Sequence, residues 1–483
     1  MNQAIDPYDP EPFRALGHQF VDKIADYLQR CHDVIPGEHD SFPVLDVRRP
    51  EDLEQAFESP LLAHPEGPER DRSHDLLDAI LAASNHLHQR GYVGHQVAAP
   101  LPGAILWDML SSLMNNGMAV YEMGQLQTIL ERRCVRWMAE RIGYGPGAGG
   151  LLTSGGSLGN LTALLAARQH MTGSWDGGFE ESGQLAVFVS ADAHYCVARS
   201  MQIMGHGKDS VVRVPVDAKH RMRTELLPEL FEATVQAGRR PMAVVSSSCG
   251  TSTGAFDNLQ AIADFCEERE LWLHVDGAHG ASHLLSAKHR HTLEGIERAH
   301  SVVWDAHKLM LLPALITGVI FREQQHAASS FAQEASYLFE DASAAYDLGH
   351  RTLECTKRAM GVTLYASLST YGTEVFARNV ELTVGLARAF ADHLETCTDF
   401  RLALRPETNI VCFRYEPGNV EGAQLNALQD SLRKRVVRQG HHYLVQTRLD
   451  GDLYLRTTLM NPRTKLEDLQ QLLDQLRGLH SQK

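Results

Sequence analysis

The chain has 483 residues, 43% of them hydrophobic and 22% charged, with a formal net charge of −15. That length supports a large core spread over two or three lobes. The acidic balance disfavours nucleic acid and anionic membrane surfaces as partners, and no apolar run reaches the roughly 18 residues that a membrane span needs. The N-terminal stretch MNQAIDPYDPEPF is polar and acidic and does not read as a signal peptide. Eight cysteines (31, 134, 196, 249, 266, 355, 397, 412) form no CxxC pair; their scatter fits a reducing cytoplasm better than a zinc site or a disulfide framework. Among 25 histidines, HRH (289–291) and HH (441–442) sit in polar surroundings and are expected at the surface.

Residues 11 to about 90 read as helices with Pro and Gly breaks. FRALGHQFVDKIADYLQRC places Phe20, Ile24, Tyr27 and Leu28 at helical spacing, and such an arm suits packing on a partner subunit. From about 105 to 365 helix and strand patterns alternate: LTALLAARQHM as a helix, QLAVFVSA and MAVVSSS as strands, DNLQAIADFCEERE as a helix, then LWLHVD, SVVWDA and LITGVIFR as strands. Short apolar strands alternating with amphipathic helices imply a parallel or mixed sheet covered on both faces. After about 375, ELTVGLARAFADHLET and TKLEDLQQLLDQLRG read as helices, and NIVCFRYEP and DLYLRTTLM as strands, so a smaller α+β lobe closes the chain.

Four features fall at the ends of these strands, where open α/β sheets place their ligand sites. In LLTSGGSLGNLTALLAAR, a strand runs into Gly155-Gly156-Ser157 and a helix follows. Adjacent glycines and a helix N-terminus suit an anion, although no P-loop lysine and no GxGxxG spacing is present, and a plain turn with a serine cap reads equally well. In LWLHVDGAHGAS, Asp276 ends an apolar strand, either as a helix cap or as a carboxylate that needs a cationic partner. In DAHK, Lys308 ends the next strand, either snorkelling to the surface or as a Schiff-base lysine whose amine is lowered by desolvation. In SADAHYCVARS, His194 lies just past a strand, where a structural histidine is the plainer reading. Together, a phosphate cradle, a strand-end carboxylate and a lysine 32 residues later describe a site for pyridoxal 5′-phosphate.

The order TSGGS…AHY…HVDGAHG…DAHK resembles the group II pyridoxal-dependent amino acid decarboxylases, which include glutamate, cysteine sulfinate, diaminobutyrate and aromatic amino acid decarboxylases. The resemblance covers most of the chain, through NNGMAVYEMGQLQTILERRCVRWM to YLRTTLMNP. It implies the α/β, aspartate aminotransferase-like fold type I: a large domain with a mostly parallel seven-stranded sheet covered by helices, an N-terminal helical arm and a smaller C-terminal α+β domain. The boundaries would be 1–90 for the arm, 91–370 for the pyridoxal phosphate domain and 371–483 for the small domain.

Carried over by position, the resemblance makes Lys308 the lysine that holds the cofactor aldehyde and His307 a neighbour of its phosphate. Asp276 would hold the pyridine nitrogen, Ala278 would lie against the ring, and His194 would stack on it and relay protons. Gly155, Gly156 and Ser157 match the phosphate loop, and Thr251 in SCGTSTGAFDN a threonine near the cofactor's 3′-hydroxyl. Tyr337 in EASYLFED matches a mobile-loop tyrosine that protonates Cα after CO₂ leaves. Arg456 matches an arginine near the substrate carboxylate, and Tyr92, His95 and Gln96 fall where the family contacts substrate. Asp305 stands at a cofactor-contacting position where some members have Asn; Gly277 and His279 replace the Ala and Tyr common in HVDAAY.

The implied reaction is α-decarboxylation of an L-amino acid to amine and CO₂ in a cytoplasmic homodimer, without nucleic acid, membrane or metal. YLFED, NNGMAVYEM and Gln96 stand nearer the glutamate and cysteine sulfinate branch, so the substrate is expected to be small or acidic. The fold also hosts aminotransferases and other lyases. Some relatives decarboxylate and then oxidise to an aldehyde, often with Phe at the lid position. A non-catalytic scaffold is the contrasting class, and the intact Lys308, Asp276, His194 and Tyr337 set argues against it.

Overall fold

The computed structural model of the chain describes residues 8–38, 42–58, 69–175, 177–178, 183–331, 345–418 and 420–482. Two compact units result. One comprises Gln96–Asp392 with Leu402–Cys412; the other comprises Met1–His95, His393–Arg401 and Phe413–Lys483.

The first unit is built on seven strands: β1 (Gly149–Thr153), β2 (Leu185–Ser190), β3 (Val211–Val214), β4 (Arg240–Ser247), β5 (Trp272–Asp276), β6 (Ser301–Asp305) and β7 (Thr317–Phe321). Their order is β1-β7-β6-β5-β4-β2-β3. The pairs β2·β3, β2·β4, β4·β5 and β5·β6 are parallel, whereas β7 runs antiparallel to both β6 and β1. The sheet is therefore mostly parallel, in agreement with the alternating pattern of the sequence.

The two-residue period of a strand sends neighbouring side chains to opposite faces, and two apolar cores result. Leu152, Phe188, Val244, Leu273, Val302, Trp304 and Ile320 belong to one, together with Val135 and Met138 of helix Gln125–Ile142 and Ile262 and Phe265 of helix Leu259–Glu268. Leu151, Val187, Val189, Ala243, Val245, Trp272, Val303, Val319 and Phe321 belong to the other, with Ala163, Leu164 and Ala167 of helix Gly156–Thr172. Burial on both faces explains why these strands read as continuous apolar runs. It also leaves only strand ends for polar chemistry. Thr153, Ser190, Ser247, Asp276 and Asp305 end strands that share one direction, so the loops that follow them gather along one edge of the sheet.

The second unit carries helix Pro10–Asp33, capped by the Asp9 carboxylate on Glu11 N at 3.0 Å, as well as the C-terminal helix Leu466–Ser481. A four-stranded sheet runs in the order β10 (Val445–Leu449), β11 (Asp452–Thr458), β9 (Ile410–Tyr415), β8 (Phe400–Leu402). Arg90 grips Asp468 through two hydrogen bonds, at 2.9 and 2.5 Å, and thereby ties the N-terminal segment to the closing helix. The surface expectation for HH fails at His442, which is 1% exposed and bonded to Gln475 Oε1 and Asp468 O, both at 2.9 Å. His289 of HRH is likewise buried, 4% exposed, against His283. In both cases the polar neighbours in sequence lie on the solvent side of a segment whose histidine turns inward.

No disulfide joins the eight cysteines. Among the described residues no helix is long and apolar enough to cross a membrane, and no group of His, Cys, Asp or Glu is arranged to hold a metal ion.

Candidate active site

The strand-end loops enclose a cavity of about 610 Å³ within the first unit. Ser154–Ser157 enter it after β1, His194–Cys196 after β2, Ser247, Cys249 and Thr251 after β4, Asp276, Ala278 and His279 after β5, and Asp305, His307 and Lys308 after β6. The cavity thus brings together Gly155, Gly156, Ser157, His194, Thr251, Asp276, Ala278, Asp305, His307, Lys308 and Gln96 of the residues singled out from the sequence.

Lys308 is not a snorkelling surface residue: its side chain keeps 19% of its exposure, and Nζ lies 3.0 Å from Asp305 Oδ2. Desolvation alone would push the amine down, as expected from the sequence. Asp305 and then Asp276 outweigh that push, so the amine is held above the usual lysine range. Asp305 is itself fixed, 1% exposed, by the Thr317 hydroxyl, which donates to Oδ1 at 2.5 Å. His307 Nε2 stands 3.6 Å from Asp305 Oδ2, and its Nδ1 is in reach of Ile316 O at 2.9 Å. The residue that read as a departure from the family pattern is thus the nearest counter-charge to the amine.

Asp276 ends β5 in register with Ser247 on one side and Val303 on the other, and its Oδ1 accepts from Ala278 N at 3.3 Å. His194 Nδ1 accepts from Cys196 N at 3.3 Å. Burial lowers the His194 imidazole below its ordinary range, Asp276 partly offsets that, and Lys308 adds to it. Burial thus favours the uncharged ring, which suits an apolar face.

Gly155 caps helix Gly156–Thr172 with φ 106° and ψ 154°, a conformation open essentially to glycine. The first-turn N–H groups of that helix have no intrahelical acceptor and would present the positive end of the dipole to a bound anion. A Cβ on Gly156 would sit 3.3 Å from both Asp305 carboxylate oxygens and 3.4 Å from Ala278 Cβ, filling the cradle. Behind the loop, Asn160 Nδ2 donates to Gly156 O at 2.8 Å while its Oδ1 meets His274 Nε2 at 2.8 Å, which braces the loop against β5.

These groups fit pyridoxal phosphate in chemistry: an anion cradle, an amine for an aldehyde, a carboxylate for a pyridine nitrogen, and a methyl and an imidazole for ring faces. Gly155→Ala is expected to destabilise the protein by about 1–3 kcal/mol through the backbone conformation alone. Thermal denaturation and cofactor titration check this; the apparent cofactor affinity should fall in parallel.

The cavity also holds residues that the sequence did not single out. Asn160 carried a signal, one helical turn after Gly156. Cys196 and Cys249 carried none; burial pushes the Cys249 thiol up to about 12 and raises Cys196 too. His279 is 2% exposed and pairs with Asn409 Oδ1 at 2.7 Å. At Gly277 a Cβ would come within 2.9 Å of Val303 O and 3.0 Å of Ala281 Cβ, so the alanine common in the HVDAAY pattern is crowded out here.

The remaining candidates lie elsewhere. Tyr92, His95 and Arg456 cluster in the second unit. Tyr92 stacks on Tyr443 with centroids 5.3 Å and planes 5° apart, and His95 lies 5.9 Å from the same ring. Arg456 on β11 donates to Thr458 Oγ1 at 3.1 Å, and after burial its charge is the next influence lowering His95. Tyr337 lies outside the described residues.

Comparison with known proteins gives the same direction. The pyridoxal-dependent decarboxylase conserved domain matches residues 73–416. The chain is 28% identical over 452 residues to the human acidic amino acid decarboxylase GADL1, covering 90% of this chain and 85% of the relative. It is 28% identical over 453 residues to human cysteine sulfinic acid decarboxylase, covering 90% and 91%. The crystal structure of mouse CSAD in apo form superposes with a TM-score of 0.90 at 26% identity, over 98% of this chain and 99% of that one. With pyridoxal phosphate as its cofactor and amino acid α-decarboxylation as its reaction, the chain belongs to the pyridoxal-dependent decarboxylase family.

Proposed function

We propose that the chain decarboxylates a small or acidic L-amino acid at Cα, with Lys308 as the amine that holds the cofactor. The observation that carries the site assignment is the Lys308 amine, 3.0 Å from Asp305 Oδ2, in the same cavity as the Gly155–Ser157 cradle. Bound pyridoxal phosphate supplies the electron sink for the pair left at Cα when CO₂ departs. Asp276 keeps the proton on the pyridine nitrogen. His194 and Ala278 would hold the ring, the first-turn N–H groups with Ser157 would hold the phosphate, and Thr251 and His307 would supply further cofactor contacts. Tyr337 returns a proton to Cα. Asp305 positions the Lys308 amine in the cavity, 3.0 Å from its Oδ2.

The substrate class draws support from the names of the relatives, acidic amino acid and cysteine sulfinic acid decarboxylases. It also draws on Gln96, which lines the cavity and whose Nε2 is buried without a hydrogen-bond partner among the described residues. A buried amide donor lacking an acceptor favours a ligand that brings one, such as a carboxylate or sulfinate. Tyr92, His95 and Arg456 are the further substrate contacts in this reading. The same reading includes a cytoplasmic homodimer and a division into an arm (1–90), a cofactor domain (91–370) and a small domain (371–483).

Screening the amino acids for CO₂ release tests the substrate. Aspartate, glutamate or cysteine sulfinate should lead; turnover confined to aromatic amino acids would overturn the class. Tyr337→Phe tests the proton donor: the products should shift from amine toward aldehyde and ammonia, with oxygen consumed and peroxide formed. Amine alone, at the normal rate, would remove Tyr337 from the mechanism.

A further inference from the structure

A second concave site lies apart from the catalytic cavity. A pocket of about 370 Å³ is lined by Arg132, Arg133, Arg136 and Arg351, with Tyr346, Gly149 and Gly150 in its wall. It shares no lining residue with the cavity that holds Lys308. Three of the arginines come from helix Gln125–Ile142, with 132 and 136 one turn apart on one face.

Among the described residues only Arg136 has a carboxylate partner, Glu140 at 2.9 Å. Arg132 and Arg351 instead donate to one carbonyl, that of Ala345, at 3.2 and 2.8 Å, which brings two guanidinium groups side by side. Arg132 also lies over the Tyr346 ring, 4.8 Å from its centroid. Arg351 is 7% exposed. A buried cation beside another cation is costly without an anion, and burial, then Arg132, lowers the Arg351 guanidinium from its ordinary range. Counter-charges are not scarce: the chain has 60 Asp and Glu against 45 Lys and Arg. Among the described residues Arg132, Arg133 and Arg351 have no carboxylate partner, and their clustering around one concave wall suits a charge from outside the chain.

We propose that this pocket binds a small, multiply charged oxyanion, phosphoryl or tricarboxylate, through Arg132, Arg133 and Arg351. Planar guanidinium forks take two oxygens of such a group at once. A halide carries one charge on one atom, cannot offer two oxygens to a guanidinium fork, and should bind more weakly.

Calorimetric titration of the holoenzyme tests the proposal, with pyrophosphate and citrate as probes and chloride at matched ionic strength as the control. Saturable binding of one ion per chain is expected, and the tighter probe distinguishes a phosphoryl from a tricarboxylate ligand. Arg133→Gln, at an exposed position, should leave the fold intact and weaken binding about tenfold. Arg132→Gln should weaken it by at least as much. Arg351→Gln is the buried variant and is read only alongside its circular dichroism; the other two carry the test if it fails to fold. The proposal is overturned if neither probe binds better than chloride, or if Arg133→Gln and Arg132→Gln both bind like the unaltered protein.

Discussion

Lys308→Ala should lose the visible absorption of the bound cofactor and slow CO₂ release on the order of 10³-fold or more. In the proposed reading the amine, once deprotonated, is the nucleophile for the cofactor aldehyde; protonated, it is the cation 3.0 Å from Asp305 Oδ2. Those two roles separate in Lys308→Arg. Arginine keeps a positive charge beside Asp305 but stays protonated and cannot attach the aldehyde. If Lys308 matters only as a charge, Lys308→Arg should restore activity. The covalent role predicts that Arg and Ala fail alike, with the Arg variant melting closer to the unaltered protein. Absorption spectra, CO₂ release and thermal denaturation of the three proteins decide between these.

Asp276→Asn should slow CO₂ release by about 10²–10³-fold while leaving the cofactor bound, the size of loss seen when one preorganised electrostatic group is removed at a reacting centre. The substitution is nearly isosteric, and the backbone of Asp276 stays paired with Ser247 and Val303 in the sheet, so the fold should survive. Asparagine cannot keep the pyridine nitrogen protonated, and the electron sink weakens. The signature is retained cofactor absorption with lost turnover. Unchanged turnover in Asp276→Asn would assign the carboxylate to structure alone, for instance to its bond from Ala278 N.

The strands and the cavity were legible for one physical reason. A strand buried on both faces is an uninterrupted apolar run, and the residue that breaks the run marks the end where the site lies. Asp276 breaks LWLHV in that way, and Asp305 breaks SVVW three residues before Lys308. Strand β3 was not legible: Val211–Val214 is four residues long, partly exposed and at the sheet edge, so its pattern is weak. Strand β10, with Gln446 and Arg448 alternating with Thr447, carries little apolar signal either. Lys308 was readable as an amine in an apolar place, yet the sign of its shift was not. That sign depends on Asp305, three residues earlier, meeting Nζ in space. Cys249 and Cys196 reach the cavity through the paths of loops, which no local pattern encodes. His442 shows the reverse error, since its neighbours are polar and its bonds to Gln475 and Asp468 come from a helix more than twenty residues away.

The most direct test is chemical. Borohydride reduction of the holoenzyme fixes the cofactor to the amine that carries it, and mass spectrometry of the digested protein locates that amine. The pyridoxyl group should appear on the peptide containing Lys308 and be absent from that of a sample exposed to saturating substrate amine before reduction. A pyridoxyl group on a different lysine, or no label at all in protein that releases CO₂, would contradict the account.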